Sequence, residues 1–305
     1  MKHWWIGLLL LIGPSALAQQ AVPSIAFDSV PNPLRLPANM YFGEVSGVSL
    51  NSKGHVFVLS RGNTTGPAFA AAAAQLLEFD AKGQFVREIG KNLYAWSFSH
   101  TIKVDPADNI WVTDKGSDMV IKFDPEGRVV MVFGRKQEAS DEETGPLKHP
   151  KPPLPAEDGR FRQVTDVAWD PAGNTFISDG YINSRIAKVD KNGNWLKSWG
   201  ERGKEPGQFN TPHSIATDAK GNVYVADRGN RRIQVFDGDG KFLRQFTIDV
   251  PVPPDAKPAI GKMLGQSGKQ LKQFGWIHAM ACPSENVIYA AELLNWRVQK
   301  LILKP

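Results

Sequence analysis

The stretch HSIATDAKGNVYVAD, residues His213–Asp227, decides the fold. It reads as a short apolar strand, a turn built from Asp, Gly and Asn, and a second short strand. The same frame occurs in five copies, which begin at Ser46, His100, Thr165, His213 and His278. A second hairpin follows in each of the first four copies. Four-stranded repeats of about 40 to 50 residues predict an all-β propeller, because one such sheet buries both faces only when neighbours stack around an axis.

The regular spacing breaks between the fourth and fifth copies. Residues 247–275 contain the end of a repeat but lack the strands that should precede it, and they are rich in proline. Two alternatives follow: one blade is truncated or missing here, or the ring closes with five blades. We assign residues 41–305 to a single propeller domain and residues 19–40 to an extended N-terminal segment. Residues 138–159 are expected to form a surface loop, and 70–74 a short helix.

The N-terminus has the pattern of a cleavable signal peptide over residues 1–18. One positive charge, Lys2, precedes an apolar stretch from Trp4 to Ile12, and Ala16 and Ala18 give the small-residue pattern that export peptidases accept. The stretch is too short for a membrane span. We therefore expect a secreted or periplasmic protein that has no membrane segment after the signal is removed.

Composition limits the partners. The formal net charge is +5, and the basic and acidic residues are interspersed, so nothing indicates nucleic-acid binding. A single cysteine, Cys282, rules out an internal disulfide. The oligomeric state is not indicated by the sequence.

Three of the six histidines fall at one position of the repeat, which we call the anchor. The first strand of each propeller blade lines the axis, so equivalent positions of different blades converge on the central channel. The anchor residues in chain order are Ser46, His100, Thr165, His213 and His278. Three neutral imidazoles on separate rigid strands are typical of a catalytic zinc site.

A second position of the repeat, directly after the second strand, lies at one rim of the predicted channel. Its residues are Arg61, Lys115, Gly180, Arg228 and Leu293. Two arginines facing a metal favour an anionic substrate, because a guanidinium matches a carboxylate bidentately. Alternatively, each arginine pairs with an acidic residue at the rim. Tyr181 lies beside this position.

Two other recurring features are predicted to be structural. An aromatic residue lies four residues before each anchor and is expected to pack between blades: Phe42, Trp96, Phe161, Phe209 and Phe274. The recurring Asn-Xaa-Arg pattern, as in Asn230-Arg231-Arg232, is expected to tie each blade internally.

Several blocks resemble the lyase domain of peptidylglycine amidating enzymes, within the wider group of NHL-repeat propellers. The most specific are SDGYINSRI at 178–186 and GQFNTPHS at 207–214, and the likeness extends from about Gly43 to Leu301. The resemblance implies a six-bladed propeller and a zinc-dependent lyase that splits a peptidyl-α-hydroxyglycine into an amide and glyoxylate. The expected substrate is thus a small anion or a peptide with a terminal carboxylate.

The resemblance also implies individual roles. Zinc ligands fall on His100, His213 and His278, the catalytic tyrosine on Tyr181, and the active-site arginines on Arg61 and Arg228. The family's calcium site would use the backbone carbonyls of Val48 and Ile102 and a carboxylate at position 279. That residue is Ala279 in this chain, which argues against calcium.

Two other classes of function stay open at this point. A non-catalytic NHL propeller would bind a peptide or polymer on one face and would need no stoichiometric metal. A lactonase-type propeller hydrolase would need an acidic cluster in its channel, which the anchor residues do not supply.

Overall fold

The computed structural model describes residues 25–62, 74–136, 151–152, 154–247 and 266–304, and these form an all-β propeller of five four-stranded blades. The predicted signal peptide at 1–18 lies outside the described residues. So do residues 70–73 of the predicted short helix and most of the predicted loop at 138–159. The described helical structure is one 3-10 turn, Arg228–Asn230. No helix among these residues is long and apolar enough to cross a membrane.

The blades follow one another along the chain, and each is an antiparallel sheet. Blade 1 contains β2 (Val45–Leu50), β3 (Val56–Ser60), β4 (Gln75–Phe79) and β5 (Phe85–Ile89). Blade 2 contains β6 (Ser99–Val104), β7 (Ile110–Asp114), β8 (Met119–Phe123) and β9 (Val129–Phe133). Blade 3 contains β10 (Asp166–Trp169), β11 (Thr175–Asp179), β12 (Arg185–Val189) and β13 (Trp195–Trp199). Blade 4 contains β14 (Pro212–Thr217), β15 (Val223–Asp227), β16 (Arg232–Phe236) and β17 (Phe242–Thr247).

Blade 5 is completed by the N-terminal segment. Its own strands are β20 (Ile277–Ser284), β21 (Val287–Glu292) and β22 (Arg297–Lys304), and β1 (Ala26–Val30) pairs with β22 as the outermost strand. The segment at 19–40, which the sequence set apart, therefore contributes a strand to the propeller. This pairing explains why the fifth copy shows no second hairpin of its own. A short parallel pair, β18 (Gln266–Ser267) and β19 (Gln273–Phe274), precedes this blade.

A sixth blade, which the resemblance implied, is not among the described residues. The only gap in which it would fall is residues 248–265, between β17 and β18. A four-stranded blade needs strands of about 5 residues each plus their turns, which is more chain than this gap contains. The alternative of a five-bladed ring is therefore the one observed.

The core consists of apolar layers between neighbouring blades. The second strands β3, β7 and β11 are buried at every position, whereas β17 at the outside of blade 4 is mostly exposed. Separate buried clusters join blades 1 and 2, blades 2 and 3, blades 3 and 4, and blades 5 and 1. The remaining cluster lies within blade 5 itself, around Phe274 and Leu301, with Phe27 of β1 packed against it.

Four of the five aromatic residues before the anchors are part of these layers, as predicted. Trp96, Phe161 and Phe209 are almost fully buried and belong to three different interblade clusters. Phe42 packs against the cluster of blades 5 and 1. Phe274, in β19, does not pack between blades, because the other residues of its cluster all belong to blade 5.

The turns between first and second strands follow the predicted chemistry. Asp218 accepts hydrogen bonds from the backbone N–H groups of Lys220 and Asn222, each at 2.9 Å. Gly221 has φ +80°, a left-handed conformation that favours glycine. Asp105 and Asp170 make the equivalent bond to the residue four positions later. These turns lie at the end of the channel opposite the anchors, because each inner strand runs from its anchor towards its turn.

The Asn-Xaa-Arg pattern is a structural tie, as predicted. In blade 4, Asn230 and Arg232 both donate to the carboxylate of Asp227 at 2.8 Å. The other oxygen of that carboxylate accepts the backbone N–H of Asn210 at 2.7 Å, just before β14. Arg232 also donates to backbone carbonyls of the preceding loop. The tie thus fixes the chain that enters the inner strand, and with it the direction of the anchor.

Candidate metal centre

The three anchor histidines lie at β-bulges. The strand register shifts by one residue across His100, His213 and His278, and also across Ser46. A bulged residue is left out of the ladder and its side chain is re-aimed, which is why bulges occur beside functional sites. Thr165 is different, since no register shift occurs at the start of β10.

The bulges bring the three imidazoles together in the channel. Candidate ligand nitrogens from His100, His213 and His278 all lie within 4.8 Å of one another. The ring centroid of His100 is 4.8 Å from the centroids of both other rings, which are 5.7 Å apart. His100 is fully buried, and His213 and His278 are half-buried. The residues that the repeat placed at one position thus form one compact cluster.

Thr165 and Ser46, the two anchors that are not histidines, orient two of the anchor histidines. Nδ1–H of His100 donates to the carbonyl of Thr165 at 2.8 Å, and Nδ1–H of His278 donates to the carbonyl of Ser46 at 2.7 Å. A hydrogen bond at Nδ1 sets the tautomer and leaves the Nε2 lone pair available. This arrangement is typical of metal-binding histidines, whose second nitrogen usually has a protein partner.

Burial keeps all three imidazoles neutral at physiological pH. Desolvation lowers the pKa of His213 to about 3, with a smaller contribution from the positive charges of Arg228 and Lys115. Desolvation also lowers the pKa of His278 to about 4. The pKa of His100 lies well below its ordinary value, chiefly because of burial. Neutral imidazole is the form that binds a metal, so the cluster is prepared for one without proton loss.

Tyr181 closes one side of the cluster. Its hydroxyl lies 3.0 Å from Nε2 of His213 and 3.3 Å from Nε2 of His100. Both imidazoles meet the Tyr181 ring nearly edge-on, with centroids 5.7 Å away. The backbone N–H of Tyr181 is bonded to the carbonyl of Gln163, which fixes the loop after β11 against the chain entering β10.

The predicted arginines differ in their surroundings. Arg61 is buried, its Nη1 donates to Glu44 at 2.9 Å, and its Nε donates to the carbonyl of Ser99 at 2.8 Å. The alternative in which a rim arginine pairs with an acidic residue therefore holds for Arg61. Arg228 is exposed, and its guanidinium lies 5.4 Å from the centre of the Tyr181 ring. Among the described residues, no carboxylate lies within ion-pair distance of Arg228.

Sequence reasoning gave no role to a third cation at this rim, Lys115. Its ammonium lies 3.9 Å from the centre of the Tyr181 ring and 5.4 Å from that of Phe98. The sequence pattern could have indicated Lys115, because it occupies the same position of the repeat as Arg61 and Arg228.

The residues of the expected calcium site do not fit that ion. Val48 and Ile102 lie on neighbouring inner strands, but Ala279 offers no carboxylate. The channel instead contains an internal cation: the ammonium of Lys103 bonds to Asp166 at 2.8 Å and to the carbonyls of Val167 and Ile215 at 2.9 and 2.6 Å. These carbonyls stand two residues after their anchors, as Val48 and Ile102 do. The lysine thus satisfies backbone oxygens of blades 3 and 4 at the same level of the channel.

The fold and site define the chain as a five-bladed β-propeller, and residues 209–236 match the model of the NHL repeat. The sequence is similar to peptidyl-glycine alpha-amidating monooxygenase of Mus musculus, with 34% identity over 228 residues. That match spans 67% of this chain but only 22% of the relative. A probable peptidyl-alpha-hydroxyglycine alpha-amidating lyase of Caenorhabditis elegans is 28% identical over 72% of this chain and 63% of its own length. NHL repeat-containing protein 3 of Mus musculus is 32% identical over 72% of this chain and 61% of its own length.

These comparisons confirm the resemblance that the Tyr181 and His213 blocks indicated. The chain is a β-propeller that contains an NHL repeat, and it is similar to proteins named amidating lyase and amidating monooxygenase. It spans less than a quarter of the mouse monooxygenase that it matches.

Proposed function

We propose that this protein is a metal-dependent lyase that cleaves a peptidyl- or acyl-α-hydroxyglycine into an amide and glyoxylate. The observation that carries the proposal is the cluster of three neutral histidines with the hydroxyl of Tyr181 against two of them. The similarity to a relative named as a lyase of this kind supports it.

The donor set favours zinc. Three imidazole nitrogens with an open side correspond to a catalytic zinc site, whereas calcium and magnesium prefer oxygen ligands. A zinc ion held by His100, His213 and His278 would supply Lewis acidity to the substrate oxygen.

The reaction requires a group that transfers a proton, and Tyr181 is placed to do so. Cleavage breaks the C–N bond, and the carbinol carbon becomes the aldehyde of glyoxylate as its hydroxyl loses a proton. The departing amide nitrogen takes up one proton, so the reaction neither consumes nor releases a proton overall. Tyr181 is the described hydroxyl that contacts two of the histidines, and we assign it the transfer of this proton.

The substrate carboxylate requires a cation that is free to bind it. Arg228 fits this role, because its exposed guanidinium lies beside Tyr181 without an acidic partner in the described part of the chain. Arg61 is held by Glu44 and Ser99, so we assign it the positioning of the rim rather than the first contact with substrate.

Turnover of α-hydroxyhippurate tests this function. The zinc-loaded protein is expected to release glyoxylate and benzamide, and a chelator should abolish the release. Tyr181→Phe should lower kcat by about 100-fold or more, the range typical of a lost general acid–base group. Tyr224→Phe is the matched control, because that hydroxyl bonds to Asp218 at the opposite end of the channel. Absence of glyoxylate, or equal rates for the parent and Tyr181→Phe, would contradict the proposal.

A second candidate is a non-catalytic propeller that binds a peptide or polymer. A cavity of about 950 Å³ opens at the turn end of the channel, with Trp111, Met131 and Trp169 in its lining. It lies about five residues of extended strand, on the order of 16 Å, from the histidines. This function predicts peptide binding that a chelator does not affect. A lactonase-type hydrolase is less well supported, because the cluster at the anchors consists of histidines.

We also propose that the protein is exported through the signal peptide at residues 1–18. The pattern of charge, apolar stretch and small residues supports this. Sequencing the N-terminus of the protein recovered outside the cytoplasm should give a start near Gln19. An intact Met1 there would contradict it.

A further inference from the structure

Lys115 lies at the site, and no described residue gives it an anionic partner. It follows β7 directly, and its backbone N–H donates to the carbonyl of Phe98 at 3.1 Å, which fixes its position at the rim. Its side chain is half-buried and rests on the ring of Tyr181, 3.9 Å from the centre. The neighbouring carboxylate of Asp114 is taken up by the backbone N–H groups of four residues, Ser97, Phe98, Gly116 and Ser117.

The charges around Lys115 are of its own sign. Burial, together with the nearby Arg61 and Arg228, lowers its pKa to about 8. At pH 7 the group is therefore still mostly an ammonium ion. Within the described ranges, no carboxylate lies at ion-pair distance from it. A half-buried cation beside two others is unfavourable until an anion enters, since desolvated charges are normally paired.

Arg61 does not serve as the second unpaired cation. It is 5% exposed, it is bonded to Glu44 and Ser99, and its guanidinium packs 3.9 Å from the centre of the Phe98 ring. Lys115 and Arg228 are the two cations of this rim that contact the Tyr181 ring and have no acidic partner in the described part of the chain.

We propose that Lys115 and Arg228 together bind the carboxylate of the substrate, and that Lys115 makes the site selective for anionic over neutral ligands. The identity of that substrate rests on the proposed function, but the anion site does not. A carboxylate held by these two side chains lies beside Tyr181 and next to the histidine cluster. Arg61 then acts as a positioning residue that orders Phe98 and the loop containing Glu44.

Binding of a matched pair of non-reactive probes tests the proposal. Hippurate carries the carboxylate, and hippuramide is its neutral counterpart. Titration calorimetry on the zinc-loaded protein should give a clear preference for hippurate, and Lys115→Met should reduce that preference by about tenfold. Lys115→Arg keeps the charge and should retain most of the preference. Lys115→Gln is a second neutral variant, for use if the methionine variant is unstable.

Lys122→Met is the matched control. Lys122 is in the same blade, and its ammonium also lies over an aromatic ring, 5.0 Å from the centre of Trp111, but it is remote from the histidines. Its replacement should leave the preference for hippurate unchanged. Retained preference in both neutral Lys115 variants would overturn the inference, and so would failure of the parent to bind hippurate.

Turnover separates this inference from the proposed function. If the parent cleaves α-hydroxyhippurate, Lys115→Met should raise KM about tenfold and leave kcat within about twofold. Cleavage with an unchanged KM in this variant would preserve the lyase and overturn the role of Lys115. A parent that cleaves nothing but binds hippurate through Lys115 would overturn the lyase and preserve the anion site.

Discussion

Acidification should destabilise the metal-free protein through the histidines in its channel. His213 and His278 have folded-state pKa values of about 3 and about 4, against 6.5 for an unperturbed histidine. Because the folded values are lower, the unfolded chain binds protons below pH 6.5 that the folded chain does not. The stability present at pH 7 is therefore lost as the pH falls from 6.5 towards 4.

The size of the loss follows from the pKa differences. At pH 5, about 1.5 units below the unperturbed pKa, each histidine should lower the free energy of unfolding by about 2 kcal/mol, at about 1.4 kcal/mol per unit. The two together give about 4 kcal/mol between pH 7 and pH 5. A double variant, His213→Gln with His278→Gln, removes both titrations. Its free energy of unfolding should therefore fall by about 4 kcal/mol less than that of the parent over the same pH interval.

Urea unfolding of both proteins in a chelator measures this difference. The seven tryptophans that follow the predicted signal peptide provide the fluorescence signal. The comparison cancels the contributions of titrating groups outside the histidine cluster, because these are shared by the parent and the double variant. If the free energy of unfolding fell equally in the two proteins between pH 7 and pH 5, the assignment of neutral, desolvated histidines to the channel would be refuted.

Further predictions concern the fold and the channel. Phe209→Ala removes a fully buried ring between blades 3 and 4. It should lower the free energy of unfolding by about 3 to 5 kcal/mol in urea titrations, and a loss under about 1 kcal/mol would contradict the role of this ring. Lys103→Met leaves the buried Asp166 carboxylate without its counter-ion and should cost about 3 kcal/mol in the same titrations, and a loss under about 1 kcal/mol would contradict this pairing. Calcium should not raise the melting temperature of the parent, because Ala279 offers no carboxylate, and a stabilisation by calcium would contradict that reasoning. Removing residues 1–30 deletes β1 and exposes Leu301. The free energy of unfolding should fall by about 3 kcal/mol, and an unchanged melting temperature would show that β22 does not need this partner.

The repeat made much of the site predictable. Equivalent residues of successive blades converge on the axis, so the position of His100, His213 and His278 in the repeat was enough to place them together. The bulges that aim these side chains were not predictable, because a bulge depends on the register of two strands and not on one strand's pattern. The roles of the Ser46 and Thr165 carbonyls also required coordinates, since backbone acceptors leave no signal in the residue type.

The closure of the ring could not be predicted from local patterns. Residues 26–30 lie at the start of the described chain, whereas their partner strand β22 lies at its end. Pairing over such a distance depends on the geometry of the whole ring, and a five-residue strand is too short to identify its own partner. The sixth blade was expected from the resemblance alone, and the short segment before β18 already argued against it.

The charged rim shows how far spacing can predict function. The repeat placed Arg61, Lys115 and Arg228 at one position. Spacing cannot show that Glu44 engages Arg61, while no carboxylate of a described residue engages the other two. Lys103 was missed for a similar reason. Its side chain satisfies oxygens from blades 3 and 4, which is a contact between distant parts of the chain.

The metal content of the purified protein tests the account most directly. Elemental analysis after dialysis against zinc should give about one zinc ion per chain, and His213→Ala should reduce this to a small fraction. His55→Ala is the matched control, because that histidine pairs with Glu78 away from the cluster and its loss should not affect zinc. A parent protein without stoichiometric zinc, or a His213→Ala protein that retains it, would contradict the assignment of a metal centre at the anchors.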